Sequence, residues 1–244
     1  MPHEVMNVKQ VAAYLHLDLE DVVKLASRGA LPARKVRGEY HFTKSDVDHA
    51  TERILSELSH ERLRQIEHGV SAHHGFDPHA PLVAGMIPPG GIAADMHSRS
   101  RDAVLRGLVE TADLCGLVYD RSILIEEVRN REELCSTALA PHVALPHPRH
   151  PVPYDIEASF IIVGRVRHGI PFGSTDGGLT ELFFLVSCKD DRTHLHVLAR
   201  LSRMLEPAIV DALLTAEDGD EIRRILQERE TVVLQHPHPA ARRR

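Results

Sequence analysis

The residues with most chemistry to offer lie in two stretches. In RNREELCSTALAPHVALPHPR, residues 129–149, a short apolar run delivers Pro146-His147, and Arg131 stands sixteen residues upstream at the end of a helix. In RTHLHVLARLSRML, residues 192–205, His194 opens another helix. Imidazole is nucleophilic near neutral pH and can carry a phosphoryl group reversibly. A phosphoryl group in flight needs cations and N–H donors around it. Arg131 offers a bidentate fork. His194 offers an N–H and the favourable end of a helix dipole. The chemistry requires the His147 ring to be open to solvent and ringed by positive charge. From the residues alone, a purely structural histidine beside proline stands next to this reading.

Positioning such groups takes a folded core, and the chain can build one. It has 244 residues, 43% of them hydrophobic, which excludes global disorder and fits one large domain or two small ones. No apolar run approaches the ~20 residues that a membrane-spanning helix needs. The start, MPHEVMNVKQ, shows no secretory pattern. Three cysteines (Cys115, Cys135, Cys188), odd in number and without CxxC spacing, exclude a disulfide scaffold and a thiolate zinc site. A cytoplasmic location is expected. The net charge of −6 speaks against a protein that coats nucleic acid non-specifically, but not against a local basic surface. Eighteen histidines are unusual. Neither HExxH nor a Cys/His ligand spacing accompanies them, so no metal and no cofactor is expected.

Hydropathy patterning divides the chain into four parts: 1–68, helix-rich; a linker over 69–81; an α/β unit over 82–232; and a disordered tail over 233–244. In the α/β unit, Ser98 or Ser100 caps a helix that Gly116 stops, and Asp120 caps a second. Residues 158–166 and 179–188 read as strands covered on both faces. A helix follows over 192–205, and two short ones lie near 207–215 and 219–229. The fold class is α/β: a mixed sheet flanked by helices behind a small helical unit.

In that small unit, Val8, Val11, Ala12 and Leu15 share one helical face. Asp18 caps a second helix in which Val22, Val23 and Leu25-Ala26 turn inward. Arg37-Gly38 makes a two-residue hairpin turn, and Ser45 caps a last helix reaching about His68. Two short helices and a tight break give helix-turn-helix geometry, and the hairpin gives a wing. The stretch VKQVAAYL, the GALPARKV entry to the wing and FTKSDV after it resemble the excisionase-type winged helix-turn-helix domain. The resemblance implies DNA binding, the second helix in the major groove and the wing on the backbone. The DNA-binding candidates are Lys24, Arg28, Arg34, Lys35 and Arg37. Residues 28–44 hold five basic side chains against one acid, Glu39, whereas the second helix carries Glu20 and Asp21 in its first turn. A homodimer through the last helix would enlarge the contact with DNA.

Residues 82–230 resemble the enzyme IIA domain of the fructose/mannitol and nitrogen-related branch of the bacterial phosphotransferase system. Arg131 with Leu134-Cys135-Ser136-Thr137, VALPHPR at 143–149, PFGSTDGG at 171–178, LFFLV and THLHVLARLSRML carry the resemblance. It implies that His147 is the phosphorylated histidine, with Arg131 and His194 as the other site residues. It further implies an HPr-like phosphocarrier as donor and an enzyme IIB domain or other regulatory protein as acceptor. Where the family has S-T-G-I-G-N-G, this chain has Ser136-Thr137-Ala138-Leu139-Ala140-Pro141-His142. Losing glycines predicts a loop with fewer N–H groups open to phosphate. Three functions fit: a regulator in which a phosphorylatable domain controls a DNA-binding domain, a phosphocarrier whose N-terminal part only makes protein contacts, or a binding module that is never phosphorylated.

Overall fold

The computed structural model describes residues 5–15, 17–44, 46–47, 50, 67, 77, 80–139, 142–174 and 177–235. They fall into two compact units, the second spanning Pro81–Gln235. Most of the expected linker and of the helix after Ser45, and the tail from 236, lie outside the described residues.

In the first unit β1 (Val5–Asn7) leads into α1 (Val8–Leu15), α2 (Leu19–Ser27), β2 (Arg34–Val36) and β3 (Glu39–Thr43). The three strands form an antiparallel sheet in the order β1-β3-β2. Val11, Ala12, Tyr14, Leu15, Val22, Leu31 and Phe42 make its core. Val23, expected to face inward, is 40% exposed. At 100° per residue, burying Val22 turns its neighbour off the core face. Asp18 occupies the N-cap position of α2, but its side chain makes no capping bond. The wing turn is as expected: Arg37 and Gly38 both have positive φ, 51° and 91°, as a tight hairpin turn of this hand demands.

The second unit runs α3 (Val83–Met86), β4 (Ile92–Ala93), α4 (Arg101–Leu114), α5 (Arg121–Leu134), β5 (Ala138–Leu139), β6 (His142–Ala144), β7 (Phe160–Ile170), β8 (Thr180–Ser187), α6 (Asp191–Met204), α7 (Pro207–Thr215) and α8 (Gly219–Gln235). Its sheet has the order β4-β7-β8-β6-β5. The outer β4–β7 and the inner β6–β8 pairs are parallel, and β7–β8 and β5–β6 antiparallel. One face of β7 and β8, with Phe160, Ile162, Phe183 and Leu185, packs on Val104, Leu105, Leu108 of α4 and Leu124, Val128 of α5. Ile161, Val163, Leu182 and Phe184 are buried too. Alternate residues point to opposite faces of a strand, so the sheet is covered on both sides.

Capping follows the chemistry of the sequence. Ser100 Oγ accepts from Ala103 N–H, and Asp120 accepts from the N–H groups of Ser122 and Ile123. Gly116, at φ 72°, ends α4. The buried Glu230 carboxylate accepts the N–H groups of Leu82, Val83 and Ala84 at 2.8–2.9 Å and pairs with Arg200 at 3.1 Å. The end of the unit thus holds its beginning. α8 runs to Gln235 with Val233 buried, so residues 233–235 are helix and not part of the tail expected there.

Candidate functional site

His147 closes an extended run beyond β6. Leu145 N–H donates to the Thr137 carbonyl at 3.1 Å, and Val186 N–H on β8 donates to the Pro146 carbonyl at 2.9 Å. Pro146 keeps Leu145 extended and brings no N–H that needs a partner. The backbone therefore aims the ring. Nδ1 of His147 lies 2.7 Å from the Leu145 carbonyl oxygen, which can only accept. Nε2 lies 3.0 Å from Nε of Arg131, which can only donate. Both contacts require the same tautomer, with the proton on Nδ1 and a lone pair on Nε2.

Arg131 reaches this position from the last turn of α5. Its Nη1 donates to the Cys135 carbonyl at 3.0 Å, so the guanidinium also ties off a helix C-terminus. His194 is the fourth residue of α6. Its ring centroid lies 4.8 Å from that of His147, the planes tilted by 54°. Its N–H bonds to the Asp190 carbonyl at 3.1 Å. The Asp190 carboxylate takes the Thr193 N–H and hydroxyl at 2.9 and 2.8 Å. Part of the donor capacity of this helix end is thus already used.

Three side chains far apart in sequence therefore meet. One expectation fails: the ring is not open to solvent. His147 is 3% exposed and Arg131 6%. The guanidinium lies across the Nε2 edge and the second imidazole lies alongside the ring.

His142 adopts φ 67°, a left-handed conformation that glycine reaches without strain and histidine reaches more easily than most residues. Its Nδ1 lies 2.8 Å from the Glu181 carboxylate on β8. Ala138-Leu139 pair with β6 as β5.

Sequence reasoning missed Glu132. It is 3% exposed, and its carboxylate accepts the Thr137 N–H at 3.1 and 3.2 Å and the Thr137 hydroxyl at 2.6 Å. Burial pushes its carboxyl above the ordinary range, against the lowering effect of the Thr137 and Ser136 hydrogen bonds and of the Arg101 charge. Nothing in the stretch REELCST, residues 131–137, marks it: Glu126, Glu127 and Glu133 lie on the same helix. Ser136 Oγ and Arg101 Nη2 both donate to the Phe172 carbonyl, at 2.8 and 2.7 Å. Gly173 permits that approach: at φ 101° its Cβ would meet Arg101 at 2.9 Å and Ser136 at 3.1 Å.

In the first unit Lys24, Arg28, Arg34, Lys35 and Arg37 are all exposed. Lys24 pairs with Asp21 at 3.7 Å, and Lys35 lies 5.4 Å from the centre of the Tyr40 ring. The three residues of β2 are all exposed, Val36 among them. Among the described residues no group of three His, Cys, Asp or Glu could hold a metal ion. No helix among them is long and apolar enough to cross a membrane.

Comparison with known proteins adds to this. A family model described as the EIIA 2 component of the phosphoenolpyruvate-dependent sugar phosphotransferase system matches residues 86–229. One described as a helix-turn-helix domain matches residues 5–53. The chain is 30% identical over 140 residues to the "PTS system fructose-specific EIIABC component" of Bacillus subtilis, covering 56% of this chain but only 22% of that protein. It is 28% identical over 148 residues to the "Nitrogen regulatory protein" of Bradyrhizobium diazoefficiens, covering 59% of this chain and 94% of that one. Among solved structures, the nitrogen regulatory protein IIA-Ntr of Neisseria meningitidis is similar at a TM-score of 0.55 and 26% identity, over 60% of this chain and 99% of that one.

Proposed function

The chain belongs to the EIIA 2 family of the phosphoenolpyruvate-dependent sugar phosphotransferase system and carries a helix-turn-helix domain ahead of it, and from that premise we propose a regulator in which His147 accepts a phosphoryl group and its charge state sets how the N-terminal domain binds DNA. One observation carries the acceptor role. The Leu145 carbonyl and Arg131 together hold the His147 ring as the tautomer whose Nε2 lone pair is the nucleophile.

The donor is an HPr-like phosphohistidine. The Nε2 lone pair attacks phosphorus, the donor's P–N bond breaks, and its electron pair returns to the donor imidazole. The proton on Nδ1 stays against the Leu145 carbonyl throughout. Arg131 Nε–H and phosphorus compete for one lone pair, so Arg131 must leave Nε2 as the N–P bond forms. Its planar fork then meets the phosphoryl oxygens, with His194 as a second donor beside them. Uncovering Nε2 and binding the phosphoryl group are two halves of one arginine movement.

The gained charge, about −2 near neutral pH, then has to be read out. An enzyme IIB domain or another regulatory protein is the acceptor class, DNA is the partner of the N-terminal domain through Lys24, Arg28, Arg34, Lys35 and Arg37, and the setting is the cytoplasm. The relative named a nitrogen regulatory protein, matched over 94% of its length, supports a regulatory role. A second reading is favoured by the 3% exposure of His147: a domain that binds partners without being phosphorylated.

Labelled phosphoenolpyruvate, enzyme I and HPr separate the two. Label on wild type and none on His147→Ala supports the proposal; no label on wild type leaves the binding module. A gel-shift series with wild type, His147→Ala and His147→Asp tests the coupling. Equal DNA affinity for all three, with and without phosphorylation, sinks it.

A further inference from the structure

We infer that Glu132, which neither the sequence pattern nor the transfer chemistry above calls for, is a positioning residue that sets the tautomer of His147. The inference rests on His147 being the acceptor, and it deepens that reading. Three hydrogen-bonded links in series join the two side chains. The Glu132 carboxylate accepts both the N–H (3.1 and 3.2 Å) and the hydroxyl (2.6 Å) of Thr137. The Thr137 carbonyl accepts the Leu145 N–H at 3.1 Å. The Leu145 carbonyl accepts His147 Nδ1–H at 2.7 Å. Every link is a donor–acceptor pair of fixed polarity: a carboxylate and carbonyls accept, and amides and a hydroxyl donate.

The chain of bonds matters because it is buried. Glu132, Thr137 and His147 are 3%, 7% and 3% exposed, and Leu145 is 5%. Water is therefore not at hand to replace a lost partner, and an unmade bond there is costly. The Leu145 carbonyl draws the imidazole proton to Nδ1, on the edge of the ring opposite the Arg131 donor. Its place depends on the Thr137 peptide, which is gripped at N–H and Oγ1 by one carboxylate. Glu132 also adjoins Arg131 in the helix, so one turn of α5 addresses both edges of the ring: Arg131 reaches Nε2 directly and Glu132 acts on Nδ1 through the loop. If the ring flipped its tautomer, Nε2 would carry the proton and present no lone pair to phosphorus.

A structural role alone would lower stability and leave the tautomer of the folded protein unchanged. The test therefore reads the tautomer itself. In the full-length protein labelled with nitrogen-15 at histidine, long-range proton–nitrogen spectra report which ring nitrogen of His147 is protonated. The expected result is the Nδ1–H form in wild type, a mixture of forms in Glu132→Ala, and a wild-type signature in Glu132→Gln, whose amide can still accept from the Thr137 N–H. Phosphoramidate serves as a small donor that needs no protein partner. Its P–N bond breaks, ammonia leaves and takes up a proton from solvent, and the Nε2–P bond forms. Labelling of Glu132→Ala should be at least about 10-fold slower, as for loss of other outer-shell partners, with Glu132→Gln restoring most of the rate. Thr137→Val, which keeps the amide and loses the hydroxyl, should fall between them and guards against a Glu132→Ala protein that does not fold. A single unchanged Nδ1–H form in folded Glu132→Ala or Thr137→Val overturns the inference. Absence of label on wild type overturns the acceptor reading instead, while the tautomer spectra still decide the role of Glu132.

Discussion

Arg131 and His147 are 6% and 3% exposed and hydrogen-bonded to each other, whereas Arg28, Arg34, Lys35 and Arg37 on the N-terminal unit stand in solvent. Both sets handle phosphate in the proposed function, yet they are built in opposite ways. A transferring phosphoryl group has one trajectory, so its site gains from groups already fixed in a dry environment. A nucleic-acid backbone spreads its charge over many phosphates and releases counterions wherever a cation meets it. For that, long exposed side chains suffice and fixed geometry adds little. Burial thus marks the arginine that acts on a single atom, and exposure marks those that act on a field.

Substituting the two kinds of cation should break the comparison if it is wrong. Arg131→Ala should slow phosphorylation of His147 by about 100-fold, the loss typical of one preorganised donor in a closed site. Arg131→Lys should restore only part, because an ammonium lacks the planar fork. A lysine variant that labels like wild type would show that charge alone matters there. On the N-terminal unit, Arg37→Asn keeps a residue that tolerates the left-handed turn at φ 51° and removes the cation. DNA affinity should fall uniformly across sequences and the salt slope by about 1. Lys35→Ala should do the same, and labelling of His147 should not change. A slope that stays at the wild-type value in both variants would remove the wing from the DNA interface.

How far each region was legible follows from the same contrast. The resemblance to the enzyme IIA family pointed to His147, Arg131 and His194, whereas the local signals beside them, a proline, a helix end and a helix start, left a structural histidine open. The wing turn was legible from Arg37-Gly38. The burial of the ring was not, because it depends on Arg131 lying over Nε2, a contact between residues sixteen apart that no local rule encodes. β1 escaped notice since three residues carry too little pattern, and its pairing with β3 is non-local. Glu132 was hidden for a similar reason. Helical spacing cannot tell which of several glutamates turns toward a loop, and only the fold brings Thr137 to its carboxylate. At 142, where the family has glycine, the histidine takes a left-handed conformation with its ring against Glu181, a pairing that no local pattern announces.

The smallest expected effect concerns the buried acid beside Arg131. Burial holds the Glu132 carboxyl above its ordinary 4.5. Between that value and the raised one, the folded protein binds more protons than the unfolded chain, so this group's contribution to stability falls as pH rises through the window. Below 4.5 both states are protonated and the penalty vanishes. Glu132→Gln has no proton to lose there. The other titrating groups are shared by both proteins and cancel in the difference. Melting temperatures of the pair should therefore move apart in favour of glutamine as pH is raised from 4 to 8, whatever the offset at the start. A difference that stays flat would mean that the hydrogen bonds from Thr137 fully offset the cost of burial. The opposite slope would mean that they exceed it, and the carboxylate at the back of the site would then resemble the solvated charges of the wing more than the dry arginine next to it.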